Sequence, residues 1–173
     1  MGFEVEKTEE QWRQELSEFE YHVLREKGTE RAHTGELLNE DRIGTFACKG
    51  CGAELFKSET KFDSHCGWPS FYEPKVGDAV ELIEDRSHGM VRTEVLCAKC
   101  GSHLGHVFPD GPKEKGGSRY CTNSSALRFI PKLTTGRTSY GIISTGSDPW
   151  AAIRDDDSLA FSFLVAPQAY SAH

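Results

Sequence analysis

Four of the six cysteines in this 173-residue chain form two pairs of one shape, Cys48-Lys49-Gly50-Cys51-Gly52 and Cys97-Ala98-Lys99-Cys100-Gly101. Each pair sets two thiols across a tight turn, and the glycine that follows can take the positive φ such a turn needs. Two turns of this kind facing each other put four thiolates around one tetrahedral Zn²⁺. Two redox-active C-x-x-C motifs, or four buried free thiols, are the competing readings, and the doubling of the pair favours the metal. With Cys48, Cys51, Cys97 and Cys100 all spent as ligands, no position is left for water. The ion would be structural and its binding energy would count as folding energy. The stretch between the pairs, residues 53–96, is too long for a simple ribbon, so a whole lobe is inserted there, and it carries Cys66.

The remaining bounds are broad. The chain is 37% hydrophobic and 27% charged, ordinary values for a globular domain. A net charge of −7 argues against a nucleic-acid or anionic-membrane surface, either of which calls for a basic patch. No apolar run reaches transmembrane length. Met1-Gly2-Phe3-Glu4-Val5-Glu6 lacks the basic-then-apolar pattern of a secretory leader, so the expectation is a cytoplasmic protein in which three disulfides are not the role of six cysteines.

Thr8-Glu9-Glu10-Gln11 and Ser17-Glu18-Phe19-Glu20 both read as capping boxes. They predict two short helices, the first burying Trp12 and Leu16 and the second Tyr21, Val23 and Leu24, ended by Gly28. Residues 29–44 are polar and irregular. From Thr45 onward the texture is short runs between turns, with strands predicted at Thr45–Ala47, Ala79–Ile83, Met90–Leu96 and Ala126–Ile130. In the third of these, Arg92 and Glu94 alternate with Val91, Thr93 and Val95, which predicts one wet face. Gly77-Asp78, Ser87-His88-Gly89 and Gly116-Gly117 mark turns. The pattern is that of a mainly β, antiparallel domain flanked by N-terminal helices. Past Lys132 the chain becomes rich in Thr, Ser and Gly, passes Asp155-Asp156-Asp157, and ends beyond an apolar stretch at 159–166. The division expected is one domain over 1–131 and a tail of unknown role over 132–173.

Cys66 and Cys121 stand alone. A lone cysteine is most often a buried structural thiol, but the neighbours of these two argue otherwise. Arg119 lies two residues before Cys121, on the same face if this run is a strand. A guanidinium there would favour the thiolate. His103 and His106 sit among glycines directly after the second cysteine pair, in a segment read as a loop, and imidazole titrates near neutral pH. Trp68, before Pro69, offers a flat apolar wall, or simply a core side chain.

Taken together, Cys48/Cys51, Cys97/Cys100, Gly67-Trp68-Pro69-Ser70-Phe71, Arg92-Thr93-Glu94-Val95, the run from Gly101 through His103, His106 and Phe108 to Pro112, and Arg119-Tyr120-Cys121-Thr122-Asn123-Ser124 resemble the methionine-R-sulfoxide reductases of the B type. The likeness runs from about Thr8 to Pro131 and leaves out the tail. It implies two antiparallel sheets forming a barrel-like β-domain with short N-terminal helices and a structural Cys₄ zinc site. It also implies reduction of methionine R-sulfoxide, free or in proteins, by a monomer that binds neither nucleic acid nor membrane. By resemblance Cys121 is the nucleophile and Cys66 the resolving cysteine. His103, His106, Arg119 and Asn123 complete the catalytic set, and Trp68 and Phe108 hold the substrate. His65 departs from the glycine that relatives often carry before this cysteine.

The implied chemistry suits the residues. Cys121 attacks the sulfoxide sulfur, a histidine protonates the oxygen, and Cys121 is left as a sulfenic acid. Cys66 then closes a disulfide, which a dithiol donor, thioredoxin by resemblance, reopens. Two other classes compete. A zinc β-module for protein interaction would need the cysteine pairs but not Cys66, Trp68 or Cys121. A thiol peroxidase or disulfide oxidoreductase would need no aromatic pocket for a methyl group.

Overall fold

A computed structural model of the chain describes residues 2–133. The expectations for the Thr/Ser/Gly-rich stretch, the acidic run and the apolar segment at 159–166 fall outside them.

Both helices begin where the capping residues demand. Helix α1, Glu9–Glu15, has Thr8 as N-cap and α2, Glu18–Arg25, has Ser17, each with both hydrogen bonds of a capping box in place. Trp12, Leu16, Tyr21, Val23 and Leu24 are buried. The end of α2 differs from the expectation: it closes at Arg25, and the residue with positive φ is Lys27 (58°), one before Gly28. The Gly28 amide donates to the His22 carbonyl, and a side chain at 28 would run into the His22 ring and that carbonyl. Gly28 is therefore required by a close approach, and the left-handed turn falls on a lysine.

Nine strands follow among the described residues: β1 (Gly44–Cys48), β2 (Glu54–Lys57), β3 (Lys61–Phe62), β4 (Ser70–Phe71), β5 (Val80–Asp85), β6 (Arg92–Cys97), β7 (His103–Phe108), β8 (Arg119–Thr122) and β9 (Leu127–Pro131). They form two antiparallel sheets, one in the order β2-β1-β9 and one in the order β3-β4-β8-β7-β6-β5. Between them lies the core. Phe46 of β1, Phe56 of β2 and Phe71 of β4 pack ring on ring, Phe56 and Phe71 stacked at 4.3 Å and Phe46 edge-on to Phe71 at 5.0 Å. Val95 of β6, Leu104 of β7 and the helix residues Trp12, Val23 and Leu24 join them. Each large apolar side chain buried here is worth about 1.5–3 kcal/mol. This core consumes one face of the six-stranded sheet and leaves the other for chemistry.

Two sequence expectations are corrected in this sheet. The segment carrying His103 and His106 is strand β7, paired on both sides, where a loop was expected. The face of β6 carrying Arg92 and Glu94 is not wet: Glu94 is only 1% exposed, whereas Val91, just outside the strand, is 70% exposed. Alternation identified two faces of β6, but the polar one is covered by other parts of the chain.

Candidate active site

The cysteine pairs form matching turns. Gly52 N–H donates to Cys48 O and Gly101 N–H to Cys97 O, while Cys48 N–H and Cys97 N–H donate to the carbonyls of Ala53 and Ser102. Gly52 and Gly101 both take positive φ, 78° and 69°. The first turn links β1 to β2 in the small sheet and the second links β6 to β7 in the large one. All four sulfurs lie within 4.8 Å of one another, with Cys48–Cys100 at 3.7 Å and Cys51–Cys97 at 3.6 Å. A tetrahedron of Zn–S bonds of about 2.3 Å has edges of about 3.8 Å, so the donor set fits a metal ion. Hydrogen bonds from Cys48, Cys51 and Cys97 pull the Cys100 thiol far below its ordinary value, while the same mutual contacts and burial push Cys48 and Cys97 up.

The second site is built on the outer face of the large sheet. Cys121 of β8 lies directly across from Ser70 of β4 on one side and His106 of β7 on the other. Directly opposed residues share a face, and so do residues two apart. Arg119 and Phe108, paired with each other, therefore join Cys121, as do Glu94, paired with His106, and Arg92, paired with Asp85. His103 should point the other way, being three residues from His106 on one strand. A bulge corrects this. Val95 pairs with Gly105 but Leu96 pairs with His103, so Leu104 is an extra residue and the alternation shifts by one. Both imidazoles then stand on one face, ring centroids 5.5 Å apart. Gly105 is required at this place because a Cβ there would overlap the Cys121 carbonyl oxygen.

A cavity of about 120 Å³ opens on this face, lined by Trp68, His103, His106, Phe108, Cys121 and Asn123 together with Thr29, Arg92, Gly105 and Thr122. Water occupies about 30 Å³ in the liquid, so the space suits the tip of one side chain. Two larger hollows of about 530 Å³ on the surface are lined by no cysteine; one of them, which carries His33 and His65, lies on the far side of the shared Trp68.

The sequence-singled residues are distributed as follows. Cys66 Sγ is 3.8 Å from Cys121 Sγ, and both thiols are free. The Cys66 sulfur accepts from the Ser64 hydroxyl at 3.0 Å and lies 3.5 Å from Ser70 Oγ. Burial pushes the Cys66 thiol up, but the Ser64 and Ser70 hydroxyls and the Trp68 backbone outweigh it and bring it below its usual value. Arg119 draws Cys121 towards the thiolate, as expected, but it does not decide the net shift. Burial, reinforced by the nearby Cys66, pushes Cys121 up to about 12, against the opposing pull of Arg119. That guanidinium is held by Asp110 through bonds of 2.8 and 3.1 Å and lies 4.6 Å from the Phe108 ring centre.

The two histidines are held differently. His106 Nε2 donates to Asp85 at 2.8 Å, and Asp85 also takes a bond of 2.9 Å from Arg92. The Ser87 hydroxyl and amide, then His106, keep Asp85 well below the usual carboxylate range. His103 Nδ1 lies 2.7 Å from Glu94 Oε1, while its Nε2 is buried without a partner among the described residues. Burial pulls His103 below the ordinary imidazole value, with Glu94 opposing. Asn123 is buried with its side chain spent on the protein, Oδ1 accepting from Glu30 N–H and Nδ2 donating to Leu104 O. Trp68 Nε1 donates to the Glu30 carbonyl at 3.1 Å.

Sequence reasoning missed Glu30, Lys27, Asp85 and the inward role of Glu94. Glu30 belongs to the irregular stretch 29–44 and Lys27 to the end of the second helix, where no local pattern reports their contacts. His65, by contrast, was singled out, and its backbone explains why. Its φ is 57°, a region glycine occupies freely and other residues only at a cost of about 1–2 kcal/mol.

The SelR domain family matches residues 16–131. The chain is 59% identical to the peptide methionine sulfoxide reductase MsrB of Leifsonia xyli subsp. xyli over 130 residues, 75% of this chain and 94% of that protein. It is 61% identical to the protein of the same name from Bradyrhizobium diazoefficiens over 128 residues, 74% of this chain and 91% of that one. For the same-named protein of Leptospira interrogans the figures are 54% over 129 residues, 75% and 98%. Among solved structures, the crystal structure of the Mis18 'Yippee-like' domain aligns with 54% of this chain and all of that one at 20% identity, with a TM-score of 0.44, too loose an agreement to argue from.

Proposed function

This chain belongs to the SelR domain family and is an oxidoreductase that reduces methionine sulfoxide; from that premise we propose that it acts on the R epimer, free or in proteins, through a Cys121 sulfenic acid and a Cys66–Cys121 disulfide. The observation that carries this reading is the Cys121 thiol at the cavity wall with Cys66 Sγ 3.8 Å away.

The sulfoxide sulfur is pyramidal, bearing oxygen, a methyl group, the rest of the substrate and a lone pair. Trp68 and Phe108 offer the methyl group aromatic surface, and His103 and His106 offer the oxygen a proton. With methyl and oxygen so assigned and the sulfur facing Cys121, only one handedness leaves the substrate chain pointing outward. Proton traffic balances: Cys121 must lose a proton to attack, and the oxygen must gain one to leave. Thiol plus sulfoxide gives sulfenic acid plus thioether, with sulfur of the substrate reduced and Cys121 oxidised. The Cys66 thiol, drawn below its usual value, is suited to attack the sulfenic sulfur and expel water. A dithiol protein of the thioredoxin kind would then restore both thiols.

Cys48, Cys51, Cys97 and Cys100 would hold one Zn²⁺, whose contribution is to cross-link the turns of the two sheets. Residues 1–131 would be the catalytic domain, a monomer, in keeping with a family match that ends at 131. Among the described residues no helix is long and apolar enough to cross a membrane.

Incubation with separated R and S sulfoxides and dithiothreitol tests the reading. Methionine from the R epimer alone is expected. Equal use of both would overturn the assignment of the methyl and oxygen subsites. Peroxide reduction without sulfoxide reduction would put a thiol peroxidase in its place.

A further inference from the structure

Glu94 is a carboxylate at 1% exposure on the same sheet face as Cys121. A charge so placed costs several kcal/mol unless it is paired and hydrogen-bonded. Both conditions are met by particular partners. Oε1 lies 2.7 Å from His103 Nδ1, and Oε2 takes a 2.7 Å bond from the Lys27 ammonium. Lys27 reaches this point from a left-handed backbone position just after α2, an unusual conformation for a lysine. Beyond the pair, His103 is 2% exposed, and its Nε2 is buried without a partner among the described residues while the residue lines the cavity beside Cys121. The other groups facing this imidazole are His106, whose ring centre is 5.5 Å away, and through it Asp85 and Arg92.

We propose that Glu94, anchored by Lys27, is a positioning residue that fixes His103 as the Nδ1–H tautomer, so that the Nε2 lone pair faces the cavity. The carboxylate can only accept, so the proton on the bonded nitrogen is the imidazole's own. Nε2 is then a proton acceptor placed for the Cys121 thiol, and the imidazolium that forms is stabilised by Glu94 before the proton passes on to the sulfoxide oxygen. His106 is the contrasting case: its Nε2 is spent on Asp85, so its free nitrogen is Nδ1. The two imidazoles present different atoms to the site because different carboxylates hold them. The inference rests on the reading of the cavity as a sulfoxide site only where it concerns the rate; the tautomer follows from the hydrogen bonds alone.

Two measurements test it on the reduced full-length chain loaded with zinc. Nitrogen-15 NMR of the histidine rings near pH 7.5, with His103 assigned by its loss in His103→Asn, is expected to show Nδ1 protonated and Nε2 bare. The opposite tautomer overturns the proposal, and this readout needs neither sulfoxide nor a variant at 94. The second is a cycle of single-turnover rates with R sulfoxide. Glu94→Gln is expected to slow methionine release about tenfold or more with the KM for sulfoxide little changed. In a His103→Asn background it should add almost nothing, because Glu94 acts through that ring. Lys27→Met, which removes the second partner of Glu94, should follow the same pattern with a smaller loss, measured under conditions where circular dichroism shows the variant folded. Equal slowing by Glu94→Gln or Lys27→Met with and without His103 overturns the proposal, since it would mark a role in the fold alone. If the unaltered protein released no methionine from either epimer, the functional reading would fall, while the NMR result would still decide the tautomer.

Discussion

Cys66 Sγ stands 3.8 Å from Cys121 Sγ across a boundary between loop and sheet. A disulfide needs about 2.05 Å, so closure asks for a little under 2 Å of movement. Cys121 is fixed by pairing to β4 and β7. Cys66 lies outside any strand, between His65 and Gly67, both at positive φ. The motion therefore belongs to the Cys66 segment, and the sheet need not deform.

The proposed roles divide the labour between the two sulfurs. Cys66→Ser should release about one methionine per enzyme in a single turnover, since oxidation of one thiol needs no second. It should then stall with thioredoxin, which attacks a disulfide. Peptide mapping of the unaltered enzyme after substrate without reductant should find Cys66 joined to Cys121. A bridge from Cys121 to any of the four paired cysteines, or normal cycling of Cys66→Ser with thioredoxin, would refute the division.

The free enzyme should hold Cys121 as a thiol well above neutral pH. A raised pKa keeps the protonated form as pH climbs, and burial with the nearby Cys66 raises Cys121 to about 12. The sign for stability is the same: keeping this thiol protonated favours the fold below about pH 9, and the contribution is lost as pH rises towards 12. Cys66 is shifted the other way. Timed alkylation with iodoacetamide near pH 7.5 should label Cys66 before Cys121, with Cys121 gaining reactivity only in alkaline buffer. Faster labelling of Cys121 at neutral pH would mean that Arg119 prevails over burial.

Those opposite shifts mark where local sequence stopped being informative. The capping boxes at Thr8 and Ser17 and the turns at Cys48 and Cys97 were legible because each is closed by residues within a few positions of one another. The placement of His103 beside His106 was not. It depends on a bulge at Leu104, which exists only in the pairing of β6 with β7. Glu94 was misread for a related reason: alternation separates two faces but does not say which will be covered by Lys27, 67 positions away in sequence. The effect of Arg119 on Cys121 was anticipated in sign, while the burial that overrides it is a property of the packed site.

Metal removal should act on the fold before the chemistry. The cluster ties the β1–β2 turn to the β6–β7 turn, and no sulfur of it lines the cavity. Elemental analysis should find about one zinc per chain, and Cys48→Ala should lose metal and stability together. A structural zinc contributes several kcal/mol, so the metal-free protein should melt about 10 °C or more lower. Metal-free protein with an unchanged melting temperature would refute a structural role.

Glu30 should prove the main support of the substrate cavity without touching substrate. Its carboxylate accepts from the Ser124 amide at 2.6 Å and from the Ser125 amide and hydroxyl at 3.0 Å each. Its own amide donates to Asn123 Oδ1, and its carbonyl accepts from Trp68 Nε1. One residue in an irregular segment thereby joins the aromatic wall to the end of the strand that carries Cys121. Glu30→Ala leaves the buried Ser124 amide without its partner, at about 1–3 kcal/mol, and the half-buried Ser125 amide and hydroxyl without theirs, at about 1 kcal/mol more. The loss expected in chemical denaturation is therefore about 2–4 kcal/mol. The backbone bonds to Trp68 and Asn123 do not need the carboxylate, but they depend on the segment staying in place. The variant should accordingly raise the KM for sulfoxide more than it lowers kcat, because binding surface is disturbed while Cys121, His103 and Glu94 remain on the sheet. Glu30→Gln, which keeps one acceptor oxygen, should recover part of both losses. A Glu30→Ala enzyme with unaltered stability and KM would show that the Trp68 wall is held by its other contacts.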